Sequence, residues 1–201
     1  MSIALAVEKN GELIVASDTL TSFGHTKVPP VLHAAKKVRR IGASFLAATG
    51  WGLYENILDD VLTRRKNLRL GTREQIFDFF LRLWGDLHKR YSFVDDQIDE
   101  KESGPFGNLD STFIVAGRTG IFYVGPDMSV TEVQHYFAIG SGAQFALGAL
   151  HALHGTKLDA ETIARRAVEA AIDFDTYCGG EVQIKRVSRR GRPPGRKPQA
   201  K

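Results

Sequence analysis

One cysteine, Cys178, stands alone in 201 residues, so no internal disulfide framework can form and a reducing cytoplasm fits the chain. Nor is there any His/Cys cluster at zinc-ligand spacing. Cys178 is therefore expected to be a buried, inert thiol, with no metal bound. No stretch approaches the roughly 18 apolar residues that a membrane helix needs. The opening MSIALAVEKNGEL lacks a basic leader and a long apolar core, which argues against a signal peptide. No internal repeat is visible. Gly140-Ser141-Gly142 precedes a helical pattern but lacks the lysine and glycine spacing of a P-loop, so nucleotide binding is set aside and no cofactor is expected.

What is present is ordinary in amount and uneven in charge. Apolar residues make up 43% and charged residues 25%, as in a soluble globular domain with a sizeable core. The formal net charge is +4. Eight of the 27 basic residues fall from Lys185 onward, where there is no acid, so residues 1–184 carry 19 basic against 23 acidic. The basicity belongs to the tail, and the body does not read as a nucleic-acid surface. The tail RRGRPPGRKPQAK contains Arg-Gly-Arg-Pro, similar to the AT-hook, whose arginines enter a narrow minor groove. The preferred reading is nonetheless a solvated, disordered arm. The expected division is a folded domain over 2–187 and a basic tail over 188–201.

Periodicity orders the domain. Ser2–Val7 and Glu12–Ser17 read as strands joined by an Asn10-Gly11 hairpin. Leu20–Ala35 reads as a loop broken by Pro29-Pro30. Lys37–Ile41 and Ser44–Thr49 form a second strand pair. Helical spacing follows at Leu53, Ile57, Leu58, Val61 and Leu62, then at Ile76, Phe79, Phe80, Leu83, Trp84 and Leu87, where Thr72 caps with Gln75 at the capping-box position. Asp95–Asn108 reads as a loop. Strands return at Ser111–Ala116, Ile121–Val124 and Tyr136–Ile139, helices at Ala143–His154 and Asp159–Thr176, and Glu181–Val187 closes as a strand. Two sheets stacked between two helix layers would bury these stripes, an α+β, four-layer αββα sandwich.

The chemistry starts at Ser2. Methionine is normally trimmed before a small residue, which would make Ser2 the N-terminus. A terminal serine holds a hydroxyl nucleophile and an α-amine on one residue, and that amine, with a pKa of about 7.7–8.0, can take the hydroxyl proton at neutral pH. Pairing across the Asn10-Gly11 hairpin brings Asp18 near the chain start. Lys36-Lys37 opens the next strand pair. A carboxylate, an ammonium and a terminal hydroxyl are thereby directed to one place.

A strand from the nucleophile, NGxxxxASD, KKVRRIG, a Gly-containing turn into a helix, and AIGSG before another helix together resemble proteasome β-type subunits, most of all the bacterial HslV-type proteases. The likeness runs through most of residues 2–187. Serine where the family usually has threonine, a longer loop before the lysine pair and the extended tail resemble one branch, the proteasome homologue of betaproteobacteria. The resemblance implies that Ser2 is the nucleophile, Lys37 the catalytic lysine, Asp18 its acidic partner, Ser141 a hydrogen-bond partner of the terminal amine and Asp173 the acid near that serine, with Asp175 two residues on as the competing position. It places the oxyanion-hole glycine on Ala47 and substrate-binding positions on Ser22, Phe45 and Thr49. It further implies a peptide or unfolded-protein substrate and a homo-oligomer of stacked double rings, leaning to seven subunits per ring. An ATPase unfoldase partner is left unassigned. Two other classes stay open at this point: a non-catalytic ring scaffold, and a DNA-binding protein that reads through its tail.

Overall fold

The Asn10-Gly11 turn does what its residues allow. Both adopt positive φ, 52° and 82°, so β1 (Ile3–Lys9) folds back on β2 (Glu12–Ser17) with only two residues between Lys9 and Glu12. The structure is a computed structural model that describes residues 2–23, 26–28, 30–32, 36–91 and 107–188. The other elements are β3 (Thr21–Phe23), β4 (Thr26–Val28), β5 (Val38–Ile41), β6 (Ser44–Gly50), α1 (Leu53–Arg64), α2 (Arg73–Arg90), β7 (Ser111–Gly117), β8 (Gly120–Val124), β9 (Val130–Val133), β10 (Tyr136–Gly140), α3 (Ala143–His154), α4 (Ala160–Phe174) and β11 (Gln183–Arg186).

Two larger sheets result. One has the order β10-β1-β2-β11, the other β5-β6-β7-β8-β9, and every pairing is antiparallel. Strand alternation then divides the core into three layers. Odd positions of β1 (Ile3, Leu5, Val7) pack with Ala146, Leu150, Ile163, Ala167 and Ala171 of α3 and α4. Even positions (Ala4, Ala6) pack against Ala47, Ile114 and Ala116 of the other sheet. The far face of that sheet, through Leu46, Phe113 and Val115, buries Ile57, Leu58, Ile76, Phe80 and Leu83 of α1 and α2. Helix, sheet, sheet, helix is the four-layer αββα sandwich expected from the sequence.

The differences are local. The expected loop at 20–35 contains the β3–β4 hairpin, and β9 was not anticipated. Thr72 caps α2 as expected, accepting from the Gln75 N–H. The expected acidic loop lies mostly outside the described residues, as does the basic tail beyond Ser188. Among the described residues no helix is long and apolar enough to cross a membrane.

Candidate active site

Ser2 lies where two strands run out. Ile3 pairs with Gly140 at the end of β10, and Ala4 pairs with Ser17 at the end of β2. Ser2 is therefore the first residue past the sheet, and it is 8% exposed. Its carbonyl oxygen lies 2.0 Å from where a Cβ on Gly140 would stand, and Gly140 has φ +101°. Only glycine tolerates both the dihedral and the approach.

Asp18 follows β2 directly and is fully buried. Its Oδ1 accepts from the Ile3 N–H at 3.1 Å and from Lys37 Nζ at 2.5 Å, while Oδ2 accepts from the Gly179 N–H at 3.1 Å. Three donors compensate a carboxylate that would otherwise be costly to bury. Lys37 is 6% exposed, whereas Lys36 points to solvent. Of the expected lysine pair, then, Lys37 is the one brought to Asp18.

Ser141 opens the turn into α3. Its hydroxyl lies 3.2 Å from Asp175 Oδ1, with the Ser2 carbonyl a longer alternative acceptor at 3.5 Å. Asp175 Oδ1 also accepts from the Tyr177 N–H at 2.7 Å, which fixes its position. Asp173, expected beside Ser141, is exposed on the last turn of α4, and Asp175 takes the place assigned to it. The reason is rotation. A helix turns about 200° in two residues, so the chain must leave α4 after Phe174 before an acidic side chain can face Ser141.

Cys178 is buried beside Gly142 and Ala171. Burial, with the Asp18 and Asp175 charges adding to it, pushes the thiol up to about 12, so it carries no thiolate at neutral pH. Among the described residues no group of His, Cys, Asp or Glu is arranged to hold a metal ion.

A cavity of about 40 Å³ opens beside Ser2, walled by Lys37, Arg39, Ala48, Gly50, Tyr54 and Ser111 among others. Here the strand register corrects two expectations. Ala47 faces the layer between the sheets and does not line the cavity, and Phe45 packs against that same layer. The Ala48 N–H, donating to the Lys37 carbonyl at 3.1 Å, is the β6 amide on the Lys37 side. Amides alternate along a strand, so Gly50 presents its own on that side too, beyond the point where β5 starts. Thr49 does line the cavity and shares a 2.9 Å hydrogen bond with Thr112. Ser22 pairs with Lys27 in the β3–β4 hairpin and is not part of this wall.

Arg39 was missed. Its signal was available in the alternation of KVRRI, since a residue two past Lys37 shares its face. It is 6% exposed and donates through Nε to Asp59 at 2.7 Å, through Nη2 to the Glu55 carbonyl at 3.0 Å and through Nη1 to the Lys36 carbonyl.

A sandwich of this order, with Ser2 and a buried lysine–aspartate pair at one cavity, is the arrangement of the proteasome-type class of folds. The chain belongs to the family of proteasome subunits and HslV-type proteases. The proteasome-subunit family model matches residues 98–187. A solved structure of BPH from Thiobacillus denitrificans is 31% identical, with a TM-score of 0.82 and coverage of 92% of this chain and 98% of that one. BPH in complex with epoxomicin is 30% identical, with a TM-score of 0.81 and coverage of 92% and 99%. The ATP-dependent protease subunit HslV of Hyphomonas neptunium is 29% identical over 187 residues, 90% of this chain and 89% of its own.

Proposed function

We propose that this protein is a proteasome-like endopeptidase whose nucleophile is Ser2 after removal of Met1. The observation that carries the reading is that Ser2 and Lys37 share one cavity while Lys37 is bonded to the buried Asp18. The Ser2 hydroxyl attacks the scissile carbonyl and its own α-amine accepts the proton. Lys37, held by Asp18, stabilises the developing alkoxide. The oxyanion is met by the Gly50 N–H, the β6 amide on the Lys37 side that lies beyond the start of β5. The C–N bond breaks, the leaving amine takes the proton, and water hydrolyses the acyl-enzyme to free Ser2. Ser141, anchored by Asp175, positions the chain start. The epoxomicin complex of BPH supports the reading. It is tested by hydrolysis of fluorogenic peptides: activity blocked by an epoxyketone supports it, and purified protein that cuts no peptide and resists the inhibitor refutes it.

The acid beside Ser141 gives a sharper check. Asp175→Asn is expected to lower kcat/KM about tenfold, the loss of a charge-assisted hydrogen bond of roughly 1.5 kcal/mol, while Asp173→Asn leaves it unchanged. Equal losses in the two variants would contradict the geometry described for the α4 end.

We further propose that the protein works as a homo-oligomer of stacked rings, leaning to seven subunits per ring. Phe77 and Leu81 leave an apolar strip on α2, and Phe174 is 71% exposed at the end of α4, surface that a partner subunit would cover. Light scattering at micromolar concentration is expected to return a mass many times the 22.2 kDa of one chain. A monomer mass would overturn it.

A further inference from the structure

The cavity beside Ser2 is lined with unspent hydrogen-bond donors and positive charge. Arg39 has five N–H bonds, and two of them have no partner among the described residues. Its carboxylate partner, Asp59, is 55% exposed and so is screened by water, while the guanidinium is buried in the wall. The N-terminus of α1 reaches the same wall through Gly52, Tyr54 and Glu55, and no side chain caps it. That end of a helix favours negative charge. Ser111, 4% exposed, lines the cavity with a hydroxyl that has no hydrogen-bond partner among the described residues. Burial, with the Asp110 charge adding to it, keeps the Tyr54 phenol protonated and therefore a donor. Glu55 is the only carboxylate among the described residues of the wall, and it is partly exposed.

We infer that this cavity receives the side chain of the residue whose carbonyl is attacked, and that Arg39 selects a short acidic side chain there over large apolar or basic ones. The inference rests on the peptidase reading and names the substrate class of that site. Arg39 stands in the wall of the cavity and sets a positive charge there, which disfavours a basic side chain and leaves an apolar one facing a guanidinium. An entering carboxylate finds the free guanidinium N–H bonds and the Ser111 hydroxyl as donors, with the α1 end adding its dipole while the Tyr54 and Glu55 amides stay on the Trp51 and Gly52 carbonyls. A leucine in the same place leaves them all unpaired, which is the stronger source of discrimination.

The test is a panel of fluorogenic peptides that differ only in the residue before the cut: Asp, Glu, Ala, Leu, Phe and Arg. The wild-type protein is expected to give kcat/KM at least tenfold higher for Asp than for Leu. Arg39→Met, of similar length without the charge, is expected to reverse that order while still taking an epoxyketone on Ser2. Arg39→Lys is expected to keep the acidic preference at reduced strength, which covers the case of a poorly folded methionine variant. A wild-type preference for Leu or Phe, or an unchanged ranking in Arg39→Met, overturns the inference and leaves the peptidase reading standing. Protein that cuts none of the panel and takes no adduct removes the peptidase reading itself.

Discussion

Lys37→Ala is expected to abolish peptide hydrolysis, by a factor of about 10³ or more, with the fold retained. Lys37 Nζ lies 2.5 Å from Asp18 Oδ1 in a site that water barely reaches, the two side chains being 6% and 0% exposed. Removing one member of a buried ion pair typically costs about 3–5 kcal/mol, because the remaining charge is left without its partner. Asp18 would still accept from the Ile3 and Gly179 amides, which is why the expected result is a lower melting temperature and not unfolding. Lys36→Ala is the control. The Lys36 side chain faces solvent, and its contribution to the site is a backbone carbonyl that alanine also supplies. Activity assays with circular dichroism on both variants decide the matter. Equal losses, or the reverse order, would mean that the lysine in the site has been assigned one residue out.

Ser2→Ala is expected to lose all measurable hydrolysis while keeping the assembled mass and melting behaviour of the parent. The side chain removed is one hydroxyl, and among the described residues no hydrogen bond of the fold runs through it; the segment is held by the pairing of Ile3 with Gly140 and by the Ile3 N–H on Asp18. Ser2→Thr is expected to stay active and to turn over at least as fast, because a β-branched side chain restricts χ1 and so preorganises the hydroxyl. Wild-type rates in Ser2→Ala would show that another residue is the nucleophile.

The sequence carried the sandwich because each layer writes its own period. Alternation in β1 and β2, helical spacing at Ile76–Leu87 and the Asn10-Gly11 turn are local signals that the tertiary structure only has to respect. The Ser2, Asp18 and Lys37 cluster was legible for the same reason: a two-residue hairpin leaves no freedom in where Asp18 falls relative to the chain start. Register across longer connections was not. Ala47 was placed one residue before Ala48, where the cavity wall begins, and Phe45 falls outside that wall, differences that hydropathy cannot detect when Phe45, Leu46, Ala47 and Ala48 are all apolar and both faces of the strand are buried. Asp173 failed differently. Two aspartates flank Phe174, and only the end point of α4 decides which one turns toward Ser141. Arg39 was overlooked because an arginine within a strand reads as a solvated edge, whereas here three acceptors hold it inside.

Every catalytic statement depends on a free Ser2. An epoxyketone closes a ring using two nucleophiles on one residue, the hydroxyl and the α-amine, and an internal serine has no α-amine to offer. Intact-mass spectrometry followed by peptide mapping of protein incubated with such an inhibitor is therefore the direct measurement. The predicted result is a chain lighter by one methionine, with the adduct on Ser2 at both atoms. Retained Met1 with no adduct, or an adduct on Cys178 or Ser141 instead, would contradict the assignment.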